Sequence, residues 1–100
     1  MANEPLVVWT AEASNNLEDI IGYLRTEWSE KEIDKFIDKL NKAVVLISKK
    51  PQLFRVTSSR NKLRKCVLSK YTSIFYKEQN FNIYIVALFD NRQDPKKVPK

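Results

Sequence analysis

The segment Phe81 to Phe89, FNIYIVALF, is apolar on both faces, and few folds can house such a strand. Side chains alternate along a strand, so Phe81, Ile83, Ile85, Ala87 and Phe89 fall on one side and Tyr84, Val86 and Leu88 on the other. A strand that must be covered on both sides belongs in the centre of a sheet. Just before it, Thr72 to Lys77 is rich in Ile, Phe and Tyr, which suit a pleated, half-buried surface. Glu78, Gln79 and Asn80 lie between the two as a polar turn, and Asn80 tolerates the positive φ of a tight hairpin. The stretch from Lys70 is therefore predicted to be a central β-hairpin. Its second strand delivers the chain into Asp90, Asn91, Arg92, Gln93 and Asp94, and polar groups at the end of a rigid strand are well placed for function.

The remainder is arranged to cover that hairpin. Leu6 to Trp9 is long enough for one short strand. Thr10 is a candidate N-cap, with Glu12 in the first turn favoured by the helix dipole. Ala13, Leu17, Ile20, Ile21, Leu24 and Trp28 then recur at helical spacing, predicting a helix over about 11–28 that contains the only glycine, Gly22. Ser29 to Glu32 reads as a capping box. Ile33, Phe36, Ile37, Leu40, Val44 and Ile47 form a second apolar stripe, which Lys49, Lys50 and Pro51 close. After Pro51 the period changes. Leu53 to Thr57 and Leu63 to Ser69 read as strands around a polar loop, Ser58 to Asn61. In the latter strand Arg64, Cys66 and Leu68 share one face. The order is β-α-α-β-β-β-β in one α+β domain over residues 1–100, with loose tails at about 1–5 and 96–100. The expected architecture is an antiparallel sheet whose four last strands form a meander, the first strand pairing with it and the helical hairpin packed on one face.

The residue inventory removes whole classes of chemistry. There is no histidine, which excludes Ser-His-Asp and Cys-His catalysis. One cysteine, Cys66, and no histidine leave no structural zinc site, and a single glycine leaves no phosphate-cradling loop. No cofactor or metal is expected. With no apolar leader at Met1 to Pro5, no membrane-length run and no disulfide, the chain reads as a cytoplasmic protein. Its charge is unevenly distributed. Residues 1–48 carry five Lys/Arg against nine Asp/Glu, a net −4, whereas residues 49–100 carry thirteen against three, a net +10. A basic half of this kind suits nucleic acid or an acidic protein, although Lys-rich edges also keep strands from aggregating.

Taken in order, the opening VVWT, the two helices ending at ISKKP, the LRKCVLSKY strand and turn, the IFYKEQNFNIYIVAL hairpin and the closing DNRQDPKK resemble the RelE/ParE superfamily of type II toxin–antitoxin toxins (plasmid-stabilisation type). The resemblance covers about Leu6 to Pro95. It implies a growth-inhibiting toxin neutralised by a cognate antitoxin, with a toxin–antitoxin hetero-oligomer as the resting form. It leaves two targets open: RelE-like members cut mRNA on the ribosome, and ParE-like members inhibit DNA gyrase without being nucleases. A plain nucleic-acid-binding module or a degenerate toxin are further readings.

For a ribonuclease, the resemblance would give catalytic roles to Arg64, on the strand before the hairpin, and to Arg92, just after the last strand. RNA cleavage through the 2′-hydroxyl needs a base, a cation beside the phosphate and an acid for the leaving oxygen. Where RelE-like members carry a further arginine this chain has Ser73, or Thr72 in a shifted register, and Val98 falls near the family's tail tyrosine. Those gaps tilt the expectation towards gyrase inhibition. Lys65, Lys70, Tyr71, Tyr76 and Arg92 are the candidates for contact with the target, the tyrosines as stacking surfaces. Each has a plainer reading. Arg92 could pair with Asp90 or Asp94, the lysines could be solvated charge, Tyr71 and Tyr76 could be core, and Cys66 could be a small buried apolar residue.

Overall fold

In the computed structural model, which describes residues 5–58 and 60–91, Thr10 does two jobs at the first turn of the chain. After strand β1 (Val7–Trp9), its hydroxyl accepts the Ala13 N–H and caps helix α1 (Ala11–Glu27). The same hydroxyl donates to the Val86 carbonyl at 2.9 Å, tying the helix start to the sheet. A two-residue link, Trp28 and Ser29, leads into α2 (Glu30–Lys49). The Ser29 hydroxyl accepts the Glu32 N–H and donates to the Glu32 carboxylate, each at 3.3 Å. Glu32 thus reaches back to the capping hydroxyl. The expected helical hairpin is present, and Ile20, Leu24, Ile33, Phe36, Leu40 and Ile47 bury its apolar stripes.

Four further strands follow: β2 (Val56–Ser58), β3 (Leu63–Val67), β4 (Thr72–Gln79) and β5 (Asn82–Asp90). The sheet order is β1-β5-β4-β3-β2, so the hairpin does occupy the centre. The meander β2 to β5 is antiparallel, as expected, whereas β1 runs parallel to β5, making the five-stranded sheet mixed. The parallel pairing follows from connectivity: β1 reaches β5 only through the two-helix crossover, which returns the chain to the far side of the sheet.

Three sequence expectations are corrected. The strand predicted at Leu53–Thr57 begins only at Val56, because Pro51 to Phe54 form turns after α2. The hairpin turn is Asn80–Phe81, not Glu78–Asn80; both residues have positive φ, 51° and 71°, the requirement of the two-residue turn whose twist matches that of the flanking strands. Phe81 is thereby removed from the apolar face of β5 and left 58% exposed. Finally, β5 does not alternate strictly. Phe75 pairs with Ala87 and Tyr76 with Ile85, so Val86 is an extra residue. Such a bulge reverses the facing of everything beyond it. The helix-facing set runs Ile83 and Ile85 before the bulge and Leu88 after it, while Ala87 joins Phe75 on the other face. Helix α1 takes up the backbone groups that the bulge disturbs, through Thr10 on the Val86 carbonyl and Asn16 Oδ1 on the Leu88 N–H at 3.0 Å.

Candidate functional site

The candidate side chains sort by which face of β3 and β4 they occupy. Arg64 pairs in register with Tyr76, and Cys66 with Ile74, on the face under the helices. There the Arg64 guanidinium donates to the Phe54 carbonyl at 2.6 Å, and the Tyr76 hydroxyl donates to the Pro51 carbonyl at 2.7 Å. The Phe54 ring meets Tyr76 edge-on, centroids 6.3 Å apart. The two side chains therefore pin the turn after α2 onto the sheet. Tyr76 is fully buried, and that burial pushes its pKa up to about 12, against the opposing pull of the Arg64 charge. It holds its proton at neutral pH. Burial also pushes the Cys66 thiol above its ordinary value.

Lys65 projects from the opposite face, its ammonium 5.9 Å from the centroid of the Phe75 ring. Lys70 lies in the turn between β3 and β4, 5.0 Å from the ring centroid of its neighbour Tyr71. Both lysines are exposed. Arg64 and Tyr76 thus come together; Lys70 and Tyr71 come together at a sheet end; Lys65 stands apart from Arg64 across the sheet. Arg92, Asp94 and Val98 lie outside the described residues.

A pair that sequence reasoning missed closes the sheet end beside Lys70 and Tyr71. Thr72 and Asp90 face each other in register, and the Thr72 hydroxyl donates to the Asp90 carboxylate at 2.9 Å. Both are buried, Asp90 to 3% exposure. Asn91 continues the closure, its N–H donating to the Tyr71 carbonyl at 2.9 Å and its side-chain amide to the Lys70 carbonyl at 3.3 Å. The sequence signal was a polar residue opening one hairpin strand and another ending the next, which hairpin register sets opposite each other once the turn is placed correctly.

Chemically, the described residues place positive charge and aromatic surface at the protein exterior, while the groups that could move protons, Tyr76, Asp90 and Cys66, are sealed inside. Among the described residues no group of His, Cys, Asp or Glu is arranged to hold a metal ion, and no helix is long and apolar enough to cross a membrane.

Comparison with known proteins places this geometry in context. A family model described as the ParE toxin of the type II toxin–antitoxin system parDE matches residues 7–95. Among solved structures, a chain of the chromosomal ParDE toxin–antitoxin system from P. aeruginosa superposes with a TM-score of 0.74 at 15% sequence identity, covering 89% of this chain and 98% of that one. At that identity the likeness is one of fold. No curated protein matches in sequence.

Proposed function

Because the chain belongs to the ParE toxin family of type II toxin–antitoxin systems, we propose that it acts in the cytoplasm by binding DNA gyrase, without cutting RNA, and that a cognate antitoxin holds it inactive. One observation carries the choice of target. The side chains that could transfer a proton are buried, and Arg64 is engaged by the Phe54 carbonyl on the helix-covered face. The position at which the RelE-like branch carries a further arginine is held here by Ser73, or by Thr72, which is tied to Asp90. Exposed cations and aromatics suit capture of a macromolecular target; they do not by themselves cleave a phosphodiester.

The test compares two targets with the same folded protein. A gyrase supercoiling assay should show inhibition, and primer extension on a defined mRNA with programmed ribosomes should show no cuts. Arg92→Ala should weaken growth arrest while leaving the far-ultraviolet circular dichroism unchanged. Cuts made by the wild type and lost with Arg92→Ala would overturn this reading in favour of a RelE-like ribonuclease.

A further inference from the structure

The hairpin turn contains a conformational oddity on the molecular surface. Phe81 holds φ at 71°, a left-handed backbone that a bulky residue adopts only against steric resistance, and its ring is 58% exposed. Neither its own backbone preference nor burial in the fold explains a phenylalanine there. Such strain is concentrated where structure serves a ligand.

Phe81 forms one wall of a groove of about 510 Å³ between the turn and the last turns of α2, lined also by Pro5, Val45, Ser48, Lys49 and Pro51. Val45, on the facing helix, is itself 51% exposed. The groove is predominantly apolar, with Glu78 as its single acid.

The charge around it defines the occupant. From Lys39 to Lys77 the chain carries eleven Lys/Arg and no Asp or Glu. Val45, Leu46, Leu53, Val56 and Val67, five of the eight large hydrophobic side chains found exposed among the described residues, lie in that same acid-free stretch. A phosphate backbone would engage the cations and gain nothing from these aliphatic side chains. An acidic amphipathic peptide would engage both.

Resting on the toxin reading above, we propose that this groove seats an acidic, amphipathic segment of the antitoxin, with Phe81 as the anchoring side chain and Val45 as the opposing wall. The antitoxin's apolar stripe lies between them and its carboxylates face Lys49 and the neighbouring basic stretch. The strain at Phe81 then has a function: it holds an aromatic ring out of the chain's own core and in the partner's path.

Two variants separate this role from a structural one. Phe81→Gly puts a glycine directly after Asn80, and Asn-Gly is the pair such a turn prefers, so the free chain should melt at the same or a higher temperature. Isothermal titration with the product of the adjacent reading frame should nevertheless show binding weakened by about tenfold or more, the loss typical of an anchor residue. Val45→Lys, at an exposed helical site, should weaken binding comparably without unfolding the chain. Unchanged affinity in either variant overturns the groove assignment while leaving the toxin–antitoxin reading intact. A groove that instead seats a second copy of this chain would show itself as Phe81→Gly dissociating a homodimer in sedimentation with antitoxin affinity unaltered, and that too overturns the proposal. No binding by the wild type would remove the toxin–antitoxin reading and the groove proposal with it.

Discussion

Tyr76 shows how one residue can serve the fold while looking like a site. Its ring is fully buried and its hydroxyl is held by the Pro51 carbonyl. Burial lifts its pKa to about 12. Between about pH 10 and 12 the unfolded tyrosine has released its proton while the folded one retains it. The native state then binds more protons than the unfolded state, so stability falls as pH rises through that interval and is undiminished below it. Cys66, raised from 9.0, adds a fall that starts lower. Tyr76→Phe should remove the upper part of this fall and leave the lower. At pH 7 it should cost about 0.5–1.5 kcal/mol, because the Pro51 carbonyl loses its donor. Urea unfolding midpoints of both proteins at pH 7, 9 and 11 check both effects; parallel curves would show that Tyr76 does not titrate with the fold. Arg64 belongs to the same set of contacts. Its place on the face with Cys66 was legible from alternation, but its bond to the Phe54 carbonyl was not, since that depends on where the turn after α2 comes to rest.

At the level of elements, periodicity was informative wherever only one register was compatible with it. Both helices, their caps and the central hairpin were legible because each apolar stripe has one orientation that buries it. The second hairpin strand was the exception, and for the same reason it stood out. With apolar residues on both faces, a one-residue shift at Val86 leaves the pattern equally hydrophobic, so the bulge carries no sequence signal. The misplaced turn has a related cause: Phe81 reads as a strand residue by propensity, yet the backbone places it at positive φ. The three-residue β1 was too short to declare whether it pairs parallel or antiparallel. Gly22 is a different case, a helix-interior glycine that invites a packing explanation. A Cβ built there meets nothing within 4 Å. Gly22→Ala should therefore stabilise the chain by about 0.5–1 kcal/mol through helix propensity alone. A rise in thermal midpoint would confirm this, and a fall would mean that α1 needs the bare backbone at that point for a partner.

The whole molecule divides its charge much as its architecture divides its work. The acids gather in α1 and the first half of α2. The acid-free stretch runs from the second half of α2 through β2 and β3 into β4. Among the described residues the ion pairs Arg25–Glu30 and Asp38–Lys42 are exposed and lie within the helical hairpin, and pairs of that kind add little to stability. The basic stretch is thus left to act outward. A surface of one sign accelerates encounter with a partner of the other, and salt suppresses that acceleration over distances beyond about 8–10 Å. Contact inside the Phe81 groove is short-range and apolar, and salt should barely alter it. Association with the antitoxin should accordingly separate into two halves. Raising salt from about 50 to 500 mM should lower the association rate roughly tenfold or more and change the dissociation rate by less than about threefold. Phe81→Gly should do the reverse, speeding dissociation with little effect on association. Surface plasmon resonance at several salt concentrations reads both rates. An association rate indifferent to salt would show that the basic stretch does not steer the partner, and its eleven cations would then need a different acidic counterpart, with gyrase-bound DNA the first to try.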